Sequence, residues 1–529
     1  MTTDTLRNFV GLIAGLRTAK SLTQKASLNA MAAAVDFGAR LLTTFIVTPF
    51  LVSGLGDFLY GVWLVLGDLT GYLTAASGRS SQTLKWVIAS EQGSADYEEK
   101  RRHVGSAIAV WLLFLPFVTG LGVALVWFTP LWLRNVPLEL YGTVRLATGI
   151  LVAQMILITL VHIPQSVLEG ENLGYKRMGL SAALVLLGGG FTCLALYLDT
   201  GLVGVAVASF LSLLLTGFLY VVIVRRYVPW FGVAKSSVDG RRRFFGLSVW
   251  FLMWRLVMRL MTAGDVVILG ILASAELAAV YSLTKYAPEV LVNLVAMGVF
   301  GITPGLGGIM GAGDYARARQ IRAEMMLFTW LAVTVVGSTI LLWNQAFLEL
   351  WVGPGRYTGT LPELLILLLV AQFILLRNDA NIIDLTLELS TKVVIGLVSV
   401  TLSVVVAGVL VGRWDAGIPG LVLGLIAGRL ILSVSYPLMI GRVLGLSFPA
   451  QLLASLRPLL ATSVLFGLAL WLKRASNDAW YLTLGWTGFV AAAGVTISSV
   501  ALLAFFLGLS AADRRRLWSR VQTAMAAAS

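Results

Sequence analysis

DFGARLLTTFIVTP, residues Asp36 to Pro49, lies inside the first long apolar run of the chain, about Leu28 to Val52. At about 20 to 25 residues, this run is long enough to cross a bilayer as a helix. Asp36 and Arg40 stand one helical turn apart in it and share one face. Because a charge near mid-membrane costs roughly 2.5 to 3.5 kcal/mol, that face should point into protein or a water-filled cavity. The two groups either neutralise each other and lock helices together, or line the cavity of a transporter, which we favour.

The composition is that of a polytopic membrane protein. Of the 529 residues, 58% are hydrophobic and only 12% are charged, and the mean hydropathy is +0.88, outside the range of a soluble domain. We therefore predict an all-α fold of about fourteen transmembrane helices. The predicted spans start near residues 28, 59, 105, 145, 179, 202, 247, 280, 322, 361, 391, 418, 456 and 480.

The formal net charge of +13 reflects membrane topology in our interpretation. Such a charge could indicate nucleic-acid binding, but the basic residues are dispersed among short loops between the apolar runs, as the positive-inside rule requires. The pattern predicts that both termini are cytoplasmic and that there is no nucleic-acid partner. Residues 1–27 are then a cytoplasmic N-terminal segment, and residues 509–529 a basic cytoplasmic tail.

Weak internal similarity predicts a repeat of six spans. Asp96-Tyr97 aligns with Asp314-Tyr315 at an offset of 218 residues, and Asp199 and Gly201 align with Asp415 and Gly417 at 216. An even number of spans keeps both copies in one orientation, so we expect two lobes related by an axis along the membrane normal, with a substrate site between them. The predicted parts are an N-lobe (28–228), a cytoplasmic linker (229–246), a C-lobe (247–441) and two C-terminal helices (456–508) outside the repeat.

Basic residues within the spans predict an anionic ligand. Arg255 and Arg259 stand four apart, and the nearest acid on their helix, Asp265, is roughly 9 Å along the axis from Arg259. Their partner is either an acid on another span or a substrate phosphate, for which the arginine fork is well shaped. Arg40 nearly corresponds to Arg259 in the repeat, which favours phosphate. The predicted substrate-binding set, for pyrophosphate and sugar, is Arg40, Arg255, Arg259, Lys285 and Arg377.

Acidic residues within the spans predict coupling to a proton or sodium gradient, with no cofactor. Lys285 and Glu289 can form a pair one turn apart that opens when substrate or a proton arrives. Asp68 has no basic partner on its own helix, and a desolvated carboxylate can exchange protons near neutral pH. The predicted ion-coupling residues are Asp36, Asp68, Glu289 and Asp379.

Several classes of activity are excluded by what the sequence lacks. It has no G-x-x-x-x-G-K-[ST] loop, so it cannot itself be an ATP-driven pump. Cys193 is the single cysteine, and nucleophile motifs and metal-ligand spacings are missing. The predicted outer loops of at most about fifteen residues leave no room for the catalytic domain of a membrane glycosyltransferase. We therefore predict that the chain is not an enzyme and has no metal site.

The first third of the chain carries a family resemblance. FIVTPFLVSGLGDFLYGVWLVLGDLTGYL, residues 45–73, is followed by a charged loop ending EEKRRHVG at residue 105. The TP pair, the LG-x-x-x-YG-x-W turn and the glycine-containing second span resemble the Wzx-type O-antigen and polysaccharide flippases of the multidrug/oligosaccharidyl-lipid/polysaccharide (MOP) exporter superfamily. The similarity covers about residues 28–135.

This resemblance implies two six-helix lobes that open alternately to each side of a bacterial cytoplasmic membrane. It implies transport of an oligosaccharide on undecaprenyl pyrophosphate to the outer leaflet, for O-antigen or exopolysaccharide synthesis. The expected state is a monomer, and the expected partners are membrane lipids, polysaccharide polymerase and export machinery. The cationic cavity would correspond to Arg40, Arg255, Arg259 and Lys285. Two extra helices, about Leu456 to Trp471 and Trp480 to Leu507, would hold the lipid tail, as in the related lipid II flippases.

Other functions stay open at this stage. The nearest alternative is an ion-coupled, MATE-like multidrug exporter of the same superfamily, for which an acidic cavity is expected. A sugar carrier of the other large six-plus-six family is disfavoured because G-x-x-x-D-R-x-G-R-[RK] is missing after the second span. A scaffold for polysaccharide assembly that transports nothing would tolerate loss of charge at Arg40 or Arg259.

Overall fold

The computed structural model describes residues 22–76, 80–91, 94–174, 179–235, 238–385, 389–475, 480–511 and 513–515. Most of the predicted N-terminal segment and the end of the basic tail therefore lie outside the described residues. Within these ranges the chain is helical and contains no strand, which confirms the all-α fold. The helices are α1 (Leu22–Ala76), α2 (Ser80–Ser90), α3 (Tyr97–Trp132), α4 (Tyr141–Gly170), α5 (Leu180–Tyr197), α6 (Gly201–Tyr227), α7 (Val238–Leu272), α8 (Ala275–Gly311), α9 (Tyr315–Val352), α10 (Thr360–Leu385), α11 (Leu389–Gly412), α12 (Gly417–Leu444), α13 (Phe448–Ala475) and α14 (Trp480–Gly508).

Eleven helical stretches of the described chain are long and apolar enough to cross a membrane. The first, Ala34–Thr74, contains the first two predicted spans, which meet at Gly56, where the backbone leaves the helical conformation (φ 71°, ψ 167°). Large apolar side chains cover the outer surface, for example Leu113 and Phe117, which are 64% and 59% exposed. Such a surface is stable in lipid rather than in water.

The repeat-related positions adopt similar local structures. Asp96 and Asp314 are the N-caps of α3 and α9, and their carboxylates accept hydrogen bonds from the backbone N–H groups three residues on, at 2.9 and 3.0 Å. Asp199 and Asp415, in the turns before α6 and α12, both have positive φ, 52° and 47°. The two pairs of positions are locally alike, and the six-span repeat itself stays a prediction.

The chain divides into two compact units, Met1–Glu276 and Leu277–Ser529. In the first unit, α1 packs against α5 and α7, and α4 packs against α3 and α6. The C-terminal end of α7 is held there by Arg134, which donates to the carbonyl oxygen of Leu272 at 2.8 Å. The sequence-based division grouped this span with the C-lobe, whereas its described packing places it in the first unit.

In the second unit, α9 is the helix to which α10, α13 and α14 attach. The hydroxyl groups of Thr334 on α9 and Thr462 on α13 are 2.7 Å apart, and Trp343 of α9 donates to Thr496 of α14 at 2.9 Å. Polar contacts of this kind hold helices together where both faces are apolar. The two C-terminal helices are therefore integral to this unit.

Candidate functional site

An ion pair in the first unit joins the most informative of the predicted site residues. Arg259 on α7 donates from NH2 to Oδ1 of Asp68 on α1 at 2.8 Å. Both side chains remain partly accessible, 28% for the arginine and 22% for the aspartate. The ring of Tyr72, one turn beyond Asp68, has its centroid 6.0 Å from the guanidinium carbon. The structure thus gives Arg259 an acidic partner on another span, one of the two alternatives that the sequence left open.

Gly71 makes room for this arginine. A Cβ atom at Gly71 would lie 2.2 Å from NH2 of Arg259 and 2.6 Å from its Cζ, far inside van der Waals contact. A glycine is therefore needed for the guanidinium to lie across α1 and reach Asp68. Gly67, one turn earlier on the same helix, has nothing within 4 Å of the corresponding position.

The other predicted basic residues fall into different surroundings. Arg40 is exposed on α1, and Arg377 is half-buried on α10. Lys285 is buried on α8 and pairs with Glu289 at 2.9 Å, as predicted for residues one turn apart. The side chain of Arg255 lies outside the described residues. Arg40 and Arg259 belong to the first unit, and Lys285 and Arg377 to the second.

The predicted ion-coupling acids are equally varied. Asp36 is half-buried on α1, and Glu289 is 52% exposed. Asp379 on α10 is buried and accepts a bidentate pair of hydrogen bonds from Arg322 of α9, with Nε and NH2 at 3.0 and 2.9 Å from Oδ1. This geometry is the strong fork arrangement of an arginine and a carboxylate. Asp379 therefore has a firmly held partner on the neighbouring helix.

Sequence reasoning missed two further buried clusters. Lys392 on α11 donates to Asp384 at 2.6 Å. Lys473, at the end of α13, donates to Glu363 of α10 at 3.1 Å and to the hydroxyl oxygen of Tyr357 at 2.7 Å. Burial and the adjacent Glu363 carboxylate raise the pKa of Tyr357, in the turn before α10, above its usual value, so that phenol stays protonated. Lys473 and Glu363 are 110 residues apart and meet only through tertiary packing, whereas Lys392 and Asp384 are eight residues apart, at the start of α11 and the end of α10.

Comparison with known proteins identifies the fold. No protein-family model matches the chain, and no curated protein matches it. Solved structures do match: the chain has the fold of MOP-superfamily transporters. The inward-closed lipid II flippase MurJ superposes with a TM-score of 0.65 at 13% identity, covering 88% of this chain and 98% of MurJ.

Two other solved structures show the same fold over a shorter part of the chain. An inward-facing multidrug resistance MATE family transporter has a TM-score of 0.59 at 14% identity and covers 78% of this chain and 98% of that one. A MOP-superfamily transporter from Pyrococcus furiosus, whose binding pocket is described as having reverse polarity, has a TM-score of 0.53 at 14% identity and covers 80% of this chain and 96% of its own. The likeness to MurJ thus extends over about a tenth more of the chain, roughly the length of two membrane helices.

Proposed function

We propose that the chain is a flippase that moves a polyprenyl-pyrophosphate-linked oligosaccharide from the inner to the outer leaflet of a bacterial cytoplasmic membrane. The observation that carries this proposal is the Arg259–Asp68 pair, whose two members are held 2.8 Å apart and are both partly accessible. A planar guanidinium is suited to bidentate contact with a phosphate group. The longer match to the lipid II flippase MurJ supports a lipid-linked substrate.

In this proposal the substrate phosphate and the Asp68 carboxylate compete for Arg259. Both are anions, and because like charges repel at short range, a bound phosphate favours protonation of Asp68. Protonation removes the competing negative charge and leaves the arginine to the substrate. Loss of that proton on the other side of the membrane restores the ion pair and releases the phosphate. Because proton and substrate cross in the same direction in this cycle, transfer should be faster when the medium is more acidic on the side from which the substrate is taken.

The remaining parts of the substrate require different surroundings. The polyprenyl chain stays in lipid. There α13 and α14 offer it large exposed apolar side chains, such as Leu453, Val464 and Val495. No covalent bond is made or broken in this cycle, so the proposed activity is transport and not enzymatic catalysis.

The test is leaflet transfer of a fluorescent polyprenyl-pyrophosphate oligosaccharide in liposomes that contain the purified protein. We expect Arg259→Gln to slow transfer by about tenfold or more, since it removes a charge-assisted contact with phosphate. Asp68→Asn should still transfer substrate but should no longer respond to an imposed pH gradient. The matched control is Arg413→Gln, which removes an exposed arginine beyond the end of α11.

A MATE-like exporter of cationic drugs is the second candidate, favoured by the MATE structures among the neighbours and by the accessible carboxylate of Asp68. The same variants separate the two functions. In a drug exporter Arg259→Gln would free Asp68 to bind a cation, so drug efflux would persist or rise. Efflux of a cationic dye that survives Arg259→Gln, together with absent lipid transfer, would refute the flippase proposal.

A further inference from the structure

The second unit contains a pocket that plays no part in the proposed transport cycle. It has a volume of about 500 Å³ and is enclosed by α9, α10, α12 and α13. Its walls are mainly apolar and include Trp330, Leu375, Phe448 and Leu459. The volume is in the range of small-molecule sites, which is roughly 300 to 1,000 Å³.

The pocket lies at one end of the unit, and basic residues mark that end. Its walls are formed by the N-terminal halves of α9 and α13 and by the C-terminal parts of α10 and α12. Arg317 and Arg319 near the start of α9 and Arg442 at the end of α12 are exposed there. Under the positive-inside rule this is the cytoplasmic end, where the inner-leaflet headgroups are found.

Among the charged residues that line the pocket, Arg319 is the one without an acidic partner in the described part of the chain. Its guanidinium extends over the α12–α13 turn, where NH1 is 3.7 Å from a Cβ position at Gly445. The other charged groups of the wall have contacts of their own. Arg322 is paired with Asp379, Glu324 accepts from Gln320 at 3.1 Å, and Asp513 accepts from Ser510. Glu324 and Asp513 keep their negative charge, but Arg317, Arg442, Arg514 and Arg515 lie at the same end of the unit, so the formal charge of that end is positive.

The pocket wall also contains a hydrogen-bond acceptor. The amide nitrogen of Gln451 on α13 donates to the carbonyl oxygen of Pro437 at 3.0 Å, which fixes the orientation of the side chain. The amide oxygen is buried and has no donor within the described residues. A buried acceptor without a donor is unfavourable. A ligand hydroxyl group would satisfy it.

We propose that this pocket binds one anionic glycerophospholipid with a hydroxylated headgroup, taken from the surrounding leaflet. One acyl chain fills the apolar interior, the phosphate contacts Arg319, and a headgroup hydroxyl donates to Gln451. Leu452 and Leu459, which are 62% and 45% exposed, form the margin where the second chain leaves for the bilayer. The site is independent of the transported substrate.

The experiment is native mass spectrometry of the purified full chain with dioleoyl phosphatidylglycerol, compared with dioleoyl phosphatidylcholine. Two pairs of exposed substitutions isolate the site. In the first pair, Arg319→Gln changes a residue that lines the pocket, and its control Arg317→Gln changes a neighbour outside it. In the second pair, Leu459→Trp places a larger side chain at the pocket, and its control Leu460→Trp makes the same kind of change outside it. We expect one phosphatidylglycerol per chain to be retained in preference to phosphatidylcholine. Retention should fall about fivefold in Arg319→Gln, as expected for one interfacial arginine.

Leu459→Trp should also lower retention, and both control variants should behave like the wild type. Equal retention of the two lipids, or no difference within either pair of variants, would overturn the proposal. An effect of Leu459→Trp without one of Arg319→Gln would also overturn it, because the pocket would then select hydrocarbon and not charge. Displacement of the lipid by an equal concentration of polyprenyl phosphate would assign the pocket to the carrier lipid instead. None of these readouts depends on leaflet transfer, so failure of the flippase proposal would not affect them.

Discussion

Substitution of Gly71 by alanine should displace Arg259 while leaving the protein folded. The added Cβ would lie 2.2 Å from NH2, 2.6 Å from Cζ and 2.7 Å from Nε of that arginine. Because ordinary contact between such atoms begins near 3.5 Å, the guanidinium must retreat by about 1 Å or more. The hydrogen bond to Asp68, now 2.8 Å long, would then approach or exceed the roughly 3.5 Å at which such contacts cease to bind.

The effect on stability should be small, for two opposing reasons. An alanine is favoured over a glycine inside a helix by roughly 0.5 to 1 kcal/mol. Loss of a partly exposed ion pair costs about 0 to 1 kcal/mol. We therefore expect the free energy of unfolding to change by less than about 1 kcal/mol, so that a change in transport reflects the position of Arg259 and not loss of the fold.

The measurement is the initial rate of leaflet transfer in proteoliposomes, with thermal unfolding in parallel. Transfer by Gly71→Ala should fall severalfold. Gly67→Ala is the matched control, because it adds the same methyl group to the same helix with nothing within 4 Å. If the two variants transferred substrate at the same rate, the position of the Arg259 guanidinium would not matter for transport, and our reasoning about this site would be refuted.

Two further predictions concern the ion pairs. The first is a charge swap, Asp68→Arg with Arg259→Asp, in which the ion pair can reform, so thermal stability should approach that of the wild type. Lipid transfer should stay low, because the guanidinium now projects from α1. Restored transfer would show that the pair is only structural. Lys473→Met should lower the free energy of unfolding by roughly 3 to 5 kcal/mol, since it strands the buried carboxylate of Glu363. Arg474→Met, at the adjacent exposed position, should leave the denaturation midpoint unchanged, and an equal loss in both would contradict this assignment.

The apolar spans were predictable because hydrophobic length is a local property of the chain. The long apolar runs produced the helices, and the Asp-Tyr pairs at residues 96 and 314 marked the starts of α3 and α9. The ninth predicted span starts near residue 322, which places Arg322 at the edge of the predicted helix. The Asp314 cap starts α9 earlier, at Tyr315, and so carries Arg322 two turns into the helix and within reach of Asp379.

The partners of the charged residues could not be predicted in the same way. Arg259 and Asp68 are 191 residues apart in the chain, and their contact depends on how α7 packs against α1. The sequence showed that two arginines shared a face and required an anion, but acids on several spans were equally available. Gly71 was one of 54 glycines, and nothing in the sequence distinguishes it from the others. Its role follows only from the position of the Arg259 guanidinium.

Accessibility separates a pair that can exchange partners from pairs that hold helices together. Lys473 and Glu363 are 8% and 0% exposed, and Arg322 and Asp379 are 10% and 6% exposed, so a ligand cannot reach them without opening the protein. Breaking such a pair leaves a charge unpaired in a medium of low dielectric constant, which is costly.

In the Arg259–Asp68 pair each side chain is already about a quarter accessible, so an incoming anion can replace the carboxylate without an intermediate in which either charge is left unpaired. Lys85 and Glu169 are similarly accessible, but Lys85 lies on a helix of only 11 residues, which is too short to cross a membrane, whereas Asp68 lies in the apolar stretch Ala34–Thr74. We therefore propose that partner exchange takes place at the Arg259–Asp68 pair.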